Sequence, residues 1–202
     1  LMSDKPIDFY FEFASPYGYL ASLAIEEVAG KYGRQVHWRP FMLGAAFKIT
    51  NSAPNMTIPM KGEYLSRDII RCAKMMNVPI AIPDILPMNS LVAMRAFYWL
   101  NETKPEVSVK LAKAVFRGHW VEGRDLSSVD AVALEAEALG VDGNAFVEAV
   151  QHPAIKELLK QETQAAIERG AFGSPFFFVD GEPYWGHDRM DQIEYHLQQG
   201  AF

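Results

Sequence analysis

The start of the chain carries its clearest hydrophobic pattern. Apolar and polar residues alternate over residues 7–13, which predicts a β-strand. Ser15 and Pro16 follow, and these residue types are preferred at the N-cap and the first position of a helix. Apolar residues at helical spacing continue to Tyr32, so one helix ending at Gly33 is predicted. One face of the strand would hold Ile7, Phe9, Phe11 and Phe13. The other face would hold Asp8, Tyr10 and Glu12.

A second strand and a long loop follow this first helix. The pattern at residues 35–40 indicates a short strand that ends in proline, and strand–helix–strand units pair their strands in parallel. Residues 42–60 are rich in Asn, Ser and Pro, so we interpret them as a polar loop. Loops of this length are uncommon in compact domains unless they are functional or disordered. Interspersed apolar residues, which can anchor the loop, favour a functional one.

Helical periodicity dominates the middle of the chain, and strand character returns near its end. Apolar residues recur at helical spacing over residues 61–169 without a strand signal. One of these helices would be capped by Ser90. Residues 175–179 predict a strand, and the Asp-Gly pair after them predicts a hairpin turn into a further short strand. A closing helix is predicted from Asp188.

The order of these elements, β-α-β, a helical block and then β-β-α, predicts an α/β thioredoxin-like fold with a large helical insertion. Residues 1–60 and 170–202 would form the thioredoxin-like domain, and residues 61–169 the inserted α-helical domain. The first strand–helix junction would then face the loop before Pro175. In this fold that proline is cis, and the backbone of Ser174 pairs with an extended, peptide-like ligand.

Composition and charge narrow the classes of function. The formal net charge of −6 argues against binding to nucleic acid or to anionic membranes. No apolar run approaches the roughly 20 residues of a membrane span, and no signal peptide is visible. The single cysteine, Cys72, excludes a CxxC redox pair and fits a cytoplasmic protein. The five histidines fall at no metal-ligand spacing, so we predict no metal site.

The start of the first predicted helix is the leading candidate for a binding site. Free backbone N–H groups and the positive end of the helix dipole favour an anion there, and the Ser15 hydroxyl faces the same spot. Most serines at this position, however, only cap the helix. Asp188 is also open to two interpretations, as an N-cap or as a carboxylate that holds a ligand ammonium group. His187 is ambiguous, since it could be a solvated loop residue.

Four short motifs, taken in order, resemble one family. They are Ser15-Pro16-Tyr17 after the first strand, Phe47-Lys48 in the loop, AFGSP before the third strand and WGHDRM after the fourth. The ordered set resembles the glutathione-dependent 2-hydroxychromene-2-carboxylate isomerases and their relatives, the kappa-class glutathione transferases. The resemblance covers nearly the whole chain. It implies a thioredoxin domain of the DsbA/kappa-class type with an α-helical insertion, assembled as a homodimer.

The resemblance also implies a role for each residue that matches a motif. Ser15 would be the catalytic residue and would face the sulfur of glutathione, while Lys48 would lie near the substrate carboxylate. Lys61 would lie near the glycine carboxylate of glutathione, and Asn51, or Ser52 in its place, would contact the ligand. The remaining contacts with glutathione would come from Pro16, Tyr17, Ser174, Pro175, His187 and Asp188.

Three of these implied contacts are more specific. The backbone of Ser174 would pair with the cysteinyl residue of glutathione. Asp188 would receive the γ-glutamyl end. The resemblance leads us to expect serine or a similar small residue at position 187, where this sequence has His187. At this contact the sequence departs from the family pattern.

The implied activity is the interconversion of 2-hydroxychromene-2-carboxylate and trans-o-hydroxybenzylidenepyruvate in the catabolism of naphthalene-type aromatic compounds. A glutathione thiolate, stabilised by Ser15, would add reversibly to the conjugated substrate, so glutathione acts as a cofactor. The alternative is a kappa-class transferase that conjugates glutathione to hydrophobic electrophiles. A second alternative is a non-catalytic thioredoxin-like binding protein. The two enzyme interpretations predict a small aromatic or hydrophobic substrate, and the third predicts a peptide ligand.

Overall fold

A computed structural model describes residues 4–202 of the chain and places four strands in one mixed sheet. The spatial order is β2-β1-β3-β4; β1 is parallel to β2 and antiparallel to β3, which is antiparallel to β4. The parallel pairing of the first two strands and the hairpin of the last two are those predicted from the sequence. The strands are β1 (Ile7–Phe11), β2 (Val36–Pro40), β3 (Phe176–Val179) and β4 (Glu182–Trp185).

Helices surround this sheet and make up most of the chain. The first three are α1 (Pro16–Ser22), α2 (Ile25–Lys31) and α3 (Leu43–Thr50). The helical block consists of α4 (Lys61–Met76), α5 (Leu91–Thr103), α6 (Pro105–Trp120), α7 (Val129–Ala138), α8 (Gly143–Gln151) and α9 (Pro153–Glu168). The last helix is α10 (Met190–Gln199), and short 3₁₀ turns lie at Asn55–Thr57 and His187–Arg189.

The single helix predicted from Pro16 to Tyr32 was wrong, because the chain forms two helices there. The break lies at Leu23 and Ala24, whose N–H groups donate to carbonyl oxygens three residues back rather than four. One residue earlier, the buried Ser22 hydroxyl donates to the carbonyl oxygen of Tyr19 at 2.6 Å. A side-chain hydrogen bond of this kind competes with the helical ladder and bends helices.

The polar loop predicted over residues 42–60 was also wrong in its first half, where the chain forms α3. Leu43 and Ala46 are buried on one side of this helix and pack into a cluster with Tyr10 and Phe41. Lys48 is exposed on the other side. Tertiary packing therefore supplies the stability that this short helix would lack by itself.

The core occupies both sides of the sheet. Phe9 stacks on Phe177 with ring centroids 5.2 Å apart and contacts Trp38 edge-on at 5.1 Å. Tyr10, placed on the polar face of the strand from its sequence, is only 3% exposed and belongs to the cluster on the opposite side. The sheet is covered on both faces, which strict alternation in β1 did not predict.

The inserted helices share the main core with the thioredoxin-like elements. Phe11 of β1 contacts Phe97 of α5 and Phe116 of α6, with centroids 6.4 and 5.3 Å apart. The boundaries predicted at residues 60/61 and 169/170 stay predictions, and residues 1–3 of the first segment lie outside the described residues. Within residues 4–202, no helix is long and apolar enough to cross a membrane.

Candidate active site

The predicted junction between β1 and α1 opens onto the main cleft of the structure, which has a volume of about 1140 Å³. The cleft is bounded by the β1–α1 turn, by α3 and the segment after it, and by the start of α5. Its other walls are formed by α4, by the loop before β3 and by the turn after β4. Because β1 and β3 are adjacent and antiparallel, the end of one lies beside the start of the other.

Ser15 caps α1, and its hydroxyl also bridges to the loop before β3. Its Oγ accepts a hydrogen bond from the N–H of Gly18 at 3.0 Å and donates one to the carbonyl oxygen of Ser174 at 2.9 Å. The Ser15 side chain therefore fits both interpretations, because it caps the helix and also lines the cleft where a ligand can bind. The helix that it caps is short, with seven residues.

The loop before β3 is held tightly against this cap. The Ser174–Pro175 peptide bond is cis, as predicted, and the Ser174 hydroxyl accepts a hydrogen bond from the N–H of Glu12 at 2.9 Å. Gly173 precedes this bond, and a Cβ added there would lie 2.1 Å from the indole nitrogen of Trp185. A side chain at this position would therefore push the Trp185 ring away from the loop.

Tyr17 and His187 form a stacked pair at the side of the cleft. Their rings are 5.0 Å apart and inclined by 15°, and the Tyr17 hydroxyl donates a 2.6 Å hydrogen bond to Asp68. That hydrogen bond lowers the pKa of Asp68, while burial and then Asp68 raise the pKa of Tyr17. Burial also lowers the pKa of His187, which favours a neutral ring. The His187 imidazole therefore packs against the Tyr17 ring, and a small residue at position 187 could not make this contact.

Asp68 and the neighbouring Cys72 were not singled out as site residues from the sequence. The Cys72 thiol is half-buried and lies 3.6 Å from the Asp68 carboxylate. Burial raises the pKa of this thiol, with a further contribution from Asp68. Asp68 lies on α4 far along the chain from the motifs, so only the packing of α4 against α1 brings it to the cleft.

The structure brings all but one of the predicted contact residues together. Lys61, at the start of α4, is exposed and does not line the cleft. Its proposed contact with glutathione stays a prediction. The cleft is lined by Ser15, Pro16, Tyr17, Lys48, Asn51, Ser52, Ser174, Pro175, His187 and Asp188.

Asn51 and Ser52 differ in how their side chains are engaged. Asn51 ends α3 in the left-handed conformation with a φ of 52°, which asparagine tolerates better than most residues. The Ser52 hydroxyl accepts a 3.0 Å hydrogen bond from the hydroxyl of Thr50. Since both residues line the cleft, either can reach a ligand.

Asp188 is not the N-cap of the closing helix, because a 3₁₀ turn precedes that helix and α10 begins at Met190. Its carboxylate is 62% exposed and lies 3.5 Å from the Arg189 guanidinium. Of its two sequence interpretations, only the carboxylate that faces the cleft is compatible with this position.

Glu12 also lines the cleft and was not predicted as a site residue. Its carboxylate accepts a 3.3 Å hydrogen bond from the N–H of Ala14. Burial raises the pKa of Glu12 to about 7, although the neighbouring Ser90 hydroxyl and backbone N–H groups partly oppose the shift. The available signal was an acidic residue between two phenylalanines, three positions before Ser15.

Comparisons with known proteins show to which family the chain belongs. Residues 6–198 match the DSBA-like thioredoxin domain. The chain is 33% identical over 192 residues to the 2-hydroxychromene-2-carboxylate isomerase of Pseudomonas putida, covering 93% of this chain and 92% of that protein. It is 25% identical over 205 residues to human glutathione S-transferase kappa 1, covering 96% of this chain and 91% of the relative.

Solved structures give the same result. A 2-hydroxychromene-2-carboxylate isomerase structure superposes with a TM-score of 0.87 at 31% identity, covering 96% of this chain and 94% of that one. A probable DsbA oxidoreductase from Streptomyces coelicolor shares the fold, with a TM-score of 0.78 at 16% identity and coverage of 96% and 89%. The predicted fold class is confirmed. The chain therefore belongs to the DSBA-like thioredoxin-domain family and, within it, to the 2-hydroxychromene-2-carboxylate isomerase family.

Proposed function

We propose that this protein is a glutathione-dependent isomerase that interconverts 2-hydroxychromene-2-carboxylate and trans-o-hydroxybenzylidenepyruvate in naphthalene-type catabolism. The observation that carries the proposal is the position of the Ser15 hydroxyl. It lies at the cap of α1, within hydrogen-bond distance of the backbone of Ser174, in the main cleft. A hydroxyl in this place can hold a sulfur anion without the disulfide chemistry that a cysteine would bring.

The charged residues of the cleft suit glutathione. The tripeptide carries two carboxylates and one ammonium group, and the cleft presents the Arg189 guanidinium and the carboxylates of Asp68 and Asp188, while Lys48 is left for the substrate carboxylate. The backbone of Ser174, which precedes a strand, suits an extended peptide. When bound, glutathione supplies a thiolate that can add reversibly to a conjugated carbon and so permit rotation about the former double bond.

The Ser15 hydroxyl would account for most of the stabilisation of that thiolate. A free thiol has a pKa of about 8.5, and lowering it by about 1.5–2 units takes roughly 2–3 kcal/mol. A short helix such as α1 contributes about 0.3–1 kcal/mol through its dipole. A hydrogen bond from a hydroxyl to a charged group contributes about 1.5–3 kcal/mol.

A kappa-class glutathione transferase is the second candidate, and the 25% identity to human glutathione S-transferase kappa 1 favours it. Both candidates use the same thiolate site and differ in whether the product retains sulfur. The third hypothesis is a non-catalytic binding protein, which would bind glutathione or a peptide without turnover. In each case we propose a cytoplasmic homodimer that takes a small aromatic or hydrophobic ligand.

Calorimetry with glutathione, followed by an isomerase assay and mass analysis of the products, tests the proposal. We expect glutathione to bind, isomerisation to depend on it, and the product to have the mass of the substrate. S-methylglutathione is the matched control, since it keeps the peptide contacts and cannot form a thiolate. A sulfur-containing product would identify a transferase instead. Binding without turnover on either substrate class would identify a binding protein.

A further inference from the structure

Two polar side chains in the cleft take no part in the contacts implied for glutathione. Glu12 lies in the turn after β1, and Ser90 lies just before α5. Ser90, predicted to cap α5, makes no capping hydrogen bond, since the Asn89 side chain accepts the N–H of Leu91 instead. The Ser90 hydroxyl is buried beside the Glu12 carboxyl, and it forms no hydrogen bond of normal geometry.

Glu12 is also fixed directly against the Ser15 and Ser174 elements. Its N–H donates to the Ser174 hydroxyl at 2.9 Å, and its carbonyl oxygen accepts the N–H of Ser15 at 3.0 Å. Its carboxylate accepts the N–H of Ala14, the residue next to Ser15, at 3.3 Å. The carboxyl group is therefore held beside the place where the sulfur would lie, on the same wall of the cleft.

The proposed reaction moves one proton between two oxygen atoms of the substrate. In the ring form, the carbon that bears the carboxylate carries a hydroxyl and is bonded to the ring oxygen. In the open form, this carbon is a ketone and the ring oxygen is a phenol. One C–O bond breaks, one C=O double bond forms, and a proton passes from the hydroxyl to the phenolic oxygen. Nothing is oxidised or reduced.

We propose that Glu12 is a catalytic residue that donates its carboxyl proton to one substrate oxygen and recovers a proton from the other, while Ser90 orients the substrate oxygen beside it. This inference rests on the proposed isomerase function. In the opening direction, the proton goes to the ring oxygen as its C–O bond breaks and returns from the hydroxyl as the ketone forms. In the closing direction, the proton goes to the ketone oxygen and returns from the phenol as the ring C–O bond forms. Both directions therefore start from the protonated carboxyl.

The other charged and titratable groups that face the cleft are less suited to this task. From α4, Asp68 is bound to the Tyr17 hydroxyl, which lowers the pKa of the carboxyl. From the turn after β4, Asp188 is largely exposed and paired with Arg189, and His187 is stacked on Tyr17 with a pKa lowered by burial. From α3, Lys48 is assigned to the substrate carboxylate.

The raised pKa of Glu12 agrees with this role. Burial brings it to about 7, so the carboxyl is present in both protonation states near neutral pH. General acid–base catalysis is most efficient when the pKa of the group lies near the working pH, and it contributes about 10²–10⁴-fold. The structural alternative is that the carboxylate merely accepts backbone N–H groups in the turn.

Glu12→Gln and Glu12→Asp separate the two roles. Glutamine keeps an acceptor oxygen but has no ionisable carboxyl proton. We therefore expect kcat to fall about 100-fold or more in both directions at saturating glutathione. Aspartate keeps an acid and should retain more activity than glutamine. The pKa of the bound thiol should not rise in Glu12→Gln, because that variant removes a carboxylate near the sulfur. Glu148→Gln, at an exposed position on α8, is the matched control.

A measurement without ligand gives a second readout. The Glu12 carboxyl keeps its proton to a higher pH in the folded chain than in the unfolded chain, so its contribution to stability should fall as pH rises from about 4.3 to about 7. Glu12→Gln should lack this decline, and denaturant unfolding across that range measures it.

The inference is overturned if Glu12→Gln keeps kcat within threefold of wild type, if glutamine preserves activity better than aspartate, or if the unfolding difference does not depend on pH. Absence of isomerisation in the wild type would instead overturn the proposed function, and the role of Glu12 with it. Ser15→Ala distinguishes the two failures, since it should lose turnover whenever the proposed function is correct.

Discussion

The Ser15 hydroxyl donates a 2.9 Å hydrogen bond to the main-chain carbonyl oxygen of Ser174, which lies 159 positions further along the chain. The bond joins the cap of α1 to the loop before β3. A hydroxyl has one proton, so donation to a ligand sulfur requires that this bond be exchanged. Binding would therefore convert an internal hydrogen bond into a contact with the ligand.

Ser15→Ala should raise the pKa of the bound glutathione thiol by about 1–2 units, because a hydrogen bond to a charged group is worth about 1.5–3 kcal/mol. Absorbance titration of the thiolate measures this. The variant also loses a helix cap, at about 0.5–2 kcal/mol of stability. Ser128→Ala is the matched control, since Ser128 caps α7 through the N–H of Ala131 at 3.1 Å. An unchanged thiol titration in Ser15→Ala would contradict the role of the hydroxyl.

Lys48→Ala should raise KM for the chromene substrate roughly fivefold at saturating glutathione, since an exposed ion pair is worth up to about 1 kcal/mol. Lys61→Ala should leave this KM unchanged, because Lys61 does not line the cleft and is assigned to glutathione. Lys110→Ala, an exposed lysine of α6, controls for the change in net charge. Steady-state kinetics would disprove the assignment if all three variants behaved alike.

Gly62→Ala should destabilise the fold by about 1–3 kcal/mol and raise substrate KM. A Cβ at this position would lie 2.4 Å from the backbone carbonyl oxygen of Met56, a residue that lines the cleft. Gly30→Ala in α2 is the control, since a Cβ there meets nothing within 4 Å and alanine favours a helix by up to about 1 kcal/mol. Thermal unfolding should shift in opposite directions for the two variants.

Asp8→Asn should lower the free energy of unfolding by about 1.5–3 kcal/mol at pH 7. Burial alone would raise the pKa of Asp8, but hydrogen bonds from Arg39 at 2.6 Å and Arg169 at 2.8 Å outweigh it and lower the pKa. A lowered pKa contributes stability above the unfolded value of about 3.9, and that contribution is lost as pH falls further. The difference from wild type should therefore shrink below about pH 4.

Denaturant unfolding between pH 3 and pH 7 measures this loss. Glu157→Gln is the comparison, because its pair with Lys160 is long, at 3.7 Å, and exposed. Its removal should change stability by less than about 0.5 kcal/mol at any pH. An Asp8→Asn difference that does not depend on pH would show that the carboxylate charge is not what stabilises this network.

The sequence by itself determined the order of strands and helices and most of the cleft. Alternation, turn residues and helix caps are local properties, so the elements around Ser15 and Pro175 could be predicted, and with them the meeting of these two segments. The split between α1 and α2 escaped prediction, because the apolar periodicity continues through residues 23 and 24 and does not record the Ser22–Tyr19 hydrogen bond at the break. The helix α3 also escaped prediction, because its stability comes from packing against Tyr10 and Phe41.

The tertiary structure alone decided what surrounds the motifs. Asp68 reaches the cleft because α4 packs against α1, and the His187 ring stacks on Tyr17 because the turn after β4 lies beside it. Glu12 acquires its raised pKa from burial in the folded chain, while hydrogen bonds from residues distant in sequence, Ser90 and the backbone of Leu43, oppose the shift. Desolvation and stacking arise between segments that meet only after folding, so no local pattern records them.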